Sequence, residues 1–87
     1  MTKLEINVDL LPDKHTEFMQ SWQTFIDHVR TRNGLEGFDL KQSDLHCEIT
    51  LRWENQQLLD EFLMDRWYAF ITGAIKVLGK NSTCDIV

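Results

Sequence analysis

The chain has 87 residues, 43% of them hydrophobic and 26% charged, with one Pro and four Gly. That length holds one core and no second, and the composition excludes a disordered, collagen-like or low-complexity chain. Residues 1–87 are therefore expected to fold as one domain. The formal charge of −5 is spread over both halves, so the basic stripe that a duplex DNA binder needs is missing.

No basic stretch followed by an apolar run opens the sequence, and no segment reaches the roughly 20 apolar residues of a membrane span. A cytoplasmic protein, with no membrane and no nucleic acid among its partners, is the expectation. Two cysteines, Cys47 and Cys84, are too few for a disulfide framework. Each sits in an alternating pattern, which predicts a small buried hydrophobe at both places.

Leu4, Ile6, Val8 and Leu10 alternate with Lys3, Glu5, Asn7 and Asp9, the period of a strand with one buried face. Pro12 ends it and suits the first turn of a helix, where its missing N–H costs nothing. Phe18, Trp22, Phe25, Ile26 and Val29 then form one stripe of an amphipathic helix. Asn33-Gly34 supplies a left-handed stop. Leu35-Glu36-Gly37 reads as a linker to a short strand carrying Phe38 and Leu40 on one face, and Gln42-Ser43-Asp44 reads as a turn. Leu45, Cys47, Ile49, Leu51 and Trp53 alternate with His46, Glu48, Thr50 and Arg52 in the clearest strand of the chain.

Asn55 is placed as an N-cap for a second helical region. Leu58, Leu59, Phe62 and Leu63 make one stripe of it, and Trp67, Phe70, Ile71, Ala74, Val77 and Leu78 another, with Asp65-Arg66 at a break or bend between them. Gly79 closes the helix, and Thr83–Val87 form a last short strand. Strand, helix, strand, strand, helix, strand is the βαββαβ order of a ferredoxin-like α+β fold. It predicts a four-stranded antiparallel sheet with two helices on one face.

In that arrangement Leu4, Ile6, Val8, Phe38, Leu40, Cys47, Ile49, Leu51 and Ile86 face the helices. The opposite face carries Glu5, Asn7, Asp9, Asp39, Lys41, His46, Glu48, Thr50 and Arg52, with Asn7 and Asp9 near His46 and Glu48. Such a face suits solvent, or a second subunit across a wet interior. His46 and Glu48 are a candidate acid–base pair, but two groups fall short of the three or four convergent ligands a metal requires, and no metal is expected.

Leu11-Pro12-Asp13-Lys14 before the first helix and Asn33-Gly34-Leu35-Glu36-Gly37-Phe38 after it carry a resemblance. So do Trp53, Leu58-Leu59-Asp60-Glu61-Phe62 and Trp67-Tyr68-Ala69-Phe70. Together they resemble the antibiotic biosynthesis monooxygenase family of dimeric α+β barrels, across nearly the whole chain. The resemblance implies a homodimer with facing sheets, a pocket between sheet and helices in each protomer, and cofactor-independent oxygenation of quinols or polycyclic aromatics. It also implies an argument against haem degradation: the haem branch's helix His falls on or next to Thr72, and no His follows His46. That branch's strand-one Asn aligns with Ile6 rather than Asn7.

Trp22, Trp53, Phe62 and Trp67 occupy apolar positions, where aromatic side chains build core or line a flat pocket for an aromatic ligand. Cofactor-free oxygenation needs little beyond a pocket that desolvates an electron-rich phenol and a partner for its developing phenolate. Tyr68, the only Tyr, is the candidate partner; a place on the helix surface is the alternative. His15 and His28 are expected in solvent. Phosphate loops, dinucleotide fingerprints, nucleophile elbows and paired CxxC motifs are all lacking, as are the exposed aromatics of an RNA-binding sheet. Two readings follow. One is an oxygenase-like binder of a small aromatic compound that uses no cofactor. The other is a non-catalytic dimerisation or ligand-sensing module of the same fold.

Overall fold

Alternation of apolar and polar residues folds Thr2–Leu10 into strand β1, with Leu4, Ile6, Val8 and Leu10 buried. The computed structural model describes residues 2–87. Helix α1 (His15–Val29) follows, then β2 (Leu35–Ser43), β3 (His46–Trp53), α2 (Gln56–Leu63), α3 (Arg66–Leu78) and β4 (Gly79–Ile86). All neighbouring strands are antiparallel, in the order β2-β3-β1-β4. This is the ferredoxin-like α+β fold that the pattern predicts. Phe18, Trp22, Phe25, Ile26 and Val29 of α1 meet the apolar sheet face in one core cluster. Among the described residues no helix is long and apolar enough to cross a membrane.

The second helical region is two helices, which makes three among the described residues. Asn55 caps α2, its side-chain oxygen accepting the Leu58 N–H at 2.9 Å. Asp65 caps α3: its Oδ1 accepts the Trp67 N–H at 2.8 Å, and its Oδ2 pairs with Arg32 at 2.9 Å. The Arg32 guanidinium also lies over the Phe62 ring, 5.5 Å from its centre. The Trp67 N–H, and then Arg32, hold the Asp65 carboxyl below its ordinary value of 3.8. Asp65→Ala should lower stability by about 1–2 kcal/mol in urea unfolding, and Asp65→Asn, which keeps a capping oxygen, by less. Because the folded pKa is depressed, Asp65's contribution is present above 3.8 and is lost as pH falls through the folded value.

Several boundaries differ from expectation, each for a physical reason. Pro12 lies outside the first helix, because Asp13 takes a φ of 72° and delays the helix until His15. Helix α1 stops at Val29, before Asn33-Gly34. Gly34 (φ 93°) instead turns the chain into β2. Leu35-Glu36-Gly37 is strand rather than linker: Leu35 pairs with Trp53 and Gly37 with Arg52, and Glu36 is the extra residue of a bulge. The hairpin turn is Asp44-Leu45, with Asp44 at φ 58°, so Gln42 and Ser43 remain in β2 and β3 starts at His46.

Burial at the last two elements also departs from the pattern. On α3 the buried stripe is Ile71, Ile75 and Leu78, while Phe70 is 38% and Val77 71% exposed. Strand β4 begins at Gly79 and is exposed along almost its whole length, including Cys84 and Ile86. The sheet order explains this: β4 is an edge strand and the helices cover the sheet's centre. Cys47, on the interior strand β3, is fully buried, and burial pushes its thiol pKa up.

Candidate functional site

Helix α3 runs directly into β4 at Gly79, so the two elements fold back on each other like the arms of a hairpin. Eleven helical residues before Gly79 and five strand residues after it each span about 16 Å. Tyr68 and Cys84 therefore arrive at the same height, and the Tyr68 hydroxyl lies 3.4 Å from Cys84 Sγ. Because α3 covers β4 incompletely, a cavity of about 310 Å³ remains between them. Tyr68, Thr72 and Lys76 form its helical wall, Ser82 and Cys84 its strand wall, and Ile6 part of its floor. That volume is at the small end of the range for ligand pockets.

The polar groups on these walls differ in what they can do. The contact with Cys84, and then burial, push the Tyr68 phenol up to about 12. Tyr68 therefore stays protonated at neutral pH and serves as a hydrogen-bond donor, not a base. The Thr72 hydroxyl donates to the Tyr68 carbonyl at 2.9 Å and the Ala69 carbonyl at 3.2 Å, which leaves its lone pairs to accept from a ligand. Lys76 contributes an exposed ammonium and Cys84 an exposed thiol.

The aromatic candidates are distributed differently. Trp22, Trp53 and Phe62 are buried in the packed interior, and none borders this cavity. Trp53 and Phe62 lie together, with ring centres 4.9 Å apart, while Trp22 packs on Phe25 and Phe38. Phe62 meets Tyr68 edge-on at 5.7 Å, so it steadies the phenol from behind. Trp67 reaches the surface at the start of α3. There His28 stacks on it at 4.1 Å and Arg66 lies over its ring at 5.7 Å. His28 and His15 are both exposed, as expected. A wider trough of about 560 Å³ runs between α1 and α3 past Glu17, Ser21, Thr24, Phe70, Gly73 and Val77, with Glu17 the one carboxylate among its lining residues and no phenol or thiol beside it.

On the polar sheet face the register is as expected: Asn7 lies opposite Glu48 and Asp9 opposite His46. Asp9 Oδ1 is 2.7 Å from His46 Nδ1, Glu48 Oε1 is 3.7 Å from Nε2, and Asp39 pairs with Arg52 at 2.7 Å. The bond to Asp9 raises His46 above its ordinary 6.5, and the bond to His46 lowers Asp9 below its ordinary 3.8. The ion pair is thus strongest between those two ordinary values. It is lost as pH rises through the folded His46 pKa or falls through the folded Asp9 pKa. NMR titration should place the His46 ring above 6.5 in the native chain and return it toward that value in Asp9→Asn. Among the described residues no three His, Cys, Asp or Glu converge as metal ligands.

The known proteins most informative for this arrangement are related by fold. As a sequence, the chain matches no family model and no curated protein. As a fold, it is similar to structures named antibiotic biosynthesis monooxygenase. One of these has a TM-score of 0.86 at 13% identity, over 100% of this chain and 96% of that one. It is similar also to a variant of SnoaB, a cofactor-independent oxygenase from Streptomyces nogalater, with a TM-score of 0.85 at 11% identity, covering 99% and 89% of the two chains. A conserved protein from Methanosarcina mazei gives 0.89 at 16% identity, over 99% and 89%. The chain therefore has the antibiotic biosynthesis monooxygenase-like fold.

The sequence offers Tyr68 as a candidate partner, with a helix-surface place as the alternative, and reaches Thr72 only through the haem comparison. Lys76 and Ser82 are not singled out there, and Cys84 is read as a buried hydrophobe. The signal available for them was the helix-against-strand height argument around Gly79. Ile6 faces the cavity while Asn7 points to the opposite sheet face, as the alternation requires.

Proposed function

We propose that the chain is an oxygenase-like protein that binds a small phenolic or quinol compound in the cavity between α3 and β4. The observation that carries this reading is a phenol donor, Tyr68, on the wall of an apolar-floored cavity between sheet and helix. In cofactor-free oxygenation the substrate supplies the electrons, with one oxygen atom entering the product and the other leaving as water. The protein's part is to exclude solvent and stabilise the phenolate, which a fixed phenol hydroxyl does by donating to the developing charge. Phe62 and Trp53 act in this reading behind Tyr68 rather than on the ligand, and Trp22 and Trp67 pack elsewhere. The same reading makes residues 1–87 one unit of a cytoplasmic homodimer whose polar sheet faces meet. His46, held by Asp9, belongs there to the sheet-face ion network rather than to catalysis.

A second reading has its own support. No His, Asp or Glu lines the cavity, so a general base is lacking among the residues named there. A ligand-sensing module needs none. Oxygen uptake with a panel of quinols and hydroxylated anthrones, without added metal or flavin, separates the two. The oxygenase reading expects turnover that drops on Tyr68→Phe. Binding without turnover leaves the module, and neither binding nor turnover ends both readings.

A further inference from the structure

Charge is sharply divided around this cavity. The chain is acidic overall, yet residues 66–84, which build both of its polar walls, contain Arg66, Lys76 and Lys80 and no carboxylate. The flanking acids are turned to other tasks. Asp65 caps α3 and pairs with Arg32, and Asp85 lies opposite Glu5 in the sheet, a register that places it on the polar face. Of these three cations only Lys76 lines the cavity: Arg66 lies over Trp67, and Lys80 stands opposite Asp9 in the β1–β4 register, outside the lining. The Lys76 side chain lines the cavity and makes no ion pair or hydrogen bond among the described residues.

Position adds a second constraint. Tyr68, Thr72 and Lys76 are spaced i, i+4 and i+8, so they stand in a row along α3 with about 12 Å between the first and last. A phenol donor at one end, a hydroxyl acceptor in the middle and an ammonium at the far end match an elongated molecule with two different termini.

We infer that the cavity selects a flat aromatic compound carrying a phenol-type oxygen at one end and a carboxylate or similar anion at the other, the anion held by Lys76. This rests on the cavity being a binding site, as proposed above, and adds the charge of its ligand. Lys76 acts as an exposed cation, so its effect is modest and screened by salt.

Cys84 provides the readout, because its thiol lines the cavity while Cys47 is buried and serves as an unreactive internal control. The rate of Cys84 alkylation by iodoacetamide, followed by mass spectrometry, is measured against rising 6-hydroxy-2-naphthoate and against its neutral primary amide. Each protein variant's ligand-free rate is its own baseline. The acid should protect Cys84 at about fivefold lower concentration than the amide. Lys76→Gln should remove that difference between acid and amide, and added salt should narrow it. Equal protection by acid and amide, or a difference that survives Lys76→Gln, overturns the anion preference and leaves the cavity as a neutral site. If neither compound slows Cys84 alkylation, the binding site itself is refuted and the inference falls with it.

Discussion

Trp53→Ala should lower the free energy of unfolding by about 3–5 kcal/mol, the usual cost of emptying a large aromatic position in a core. Trp53 has no exposed surface. It ends β3, lies opposite Thr2 and Leu35 in the sheet, and packs its ring on Phe62 of α2. The hole left by Ala is bounded by sheet on one side and by α2 on the other; the sheet wall cannot collapse without breaking strand pairing, and α2 is pinned at its start by the Asn55 cap. A protein of this size has only about 5–15 kcal/mol of stability in total. The variant should therefore unfold at much lower urea, read by circular dichroism. Trp53→Phe should behave differently. The indole Nε1–H is buried with no acceptor among the described residues, and an orphaned donor carries a desolvation penalty. Removing it offsets part of the lost volume, so the loss should stay below about 1.5 kcal/mol. A Trp53→Ala loss under that figure would show that Trp53 is not a core residue.

Gly34→Ala should cost about 2–4 kcal/mol, from two sources. The residue holds φ at 93°, where a side chain costs about 1–2 kcal/mol. A Cβ there would also stand 2.5 Å from Leu58 Cδ1 and 3.0 Å from its Cβ, and overpacking of this kind costs about 1–3 kcal/mol. Leu58 lies in the first turns of α2, which Asn55 pins, so only the end of its side chain can give way. Gly73→Ala is the matched comparison. It lies inside α3, and an added Cβ meets nothing within 4 Å, so it should be neutral or stabilise by up to about 1 kcal/mol. Comparable effects from the two substitutions in urea unfolding would contradict both arguments.

What was legible in the sequence, and what was not, follows from which forces are local. Strands β1 and β3 are interior, so both their faces obey strict alternation, and His46, Asp9, Asn7 and Glu48 fell into the expected register. The caps Asn55 and Asp65 act within three residues and were readable as a helix start and a break. Edge position is not local. Cys84 and Ile86 carry the same alternation as Cys47 and Ile49, yet they are exposed because no element lies beyond β4. The phase of α3 failed for a related reason. Its apolar residues nearly encircle the helix, so Phe70 and Val77 fit a stripe as well as Ile75 does, and only packing against the sheet selects Ile71, Ile75 and Leu78. The cavity combines both effects, an uncovered edge strand and a helix whose wet side carries Tyr68, Thr72 and Lys76. Only the resemblance implied a pocket between sheet and helix, with Tyr68 as its candidate partner, and the other lining residues of this cavity were not legible.

The most direct test of ligand binding at this place is amide and side-chain NMR of the native chain titrated with 2-naphthol, a neutral ring that does not depend on Lys76. Shift changes should gather on Tyr68, Thr72, Ser82 and Cys84, with Ile6 moving from the floor. Changes gathered instead along the α1–α3 trough at Gly73 and Val77 or on the polar face at His46, or no change at saturating ligand, would contradict the assignment of the cavity as the binding site.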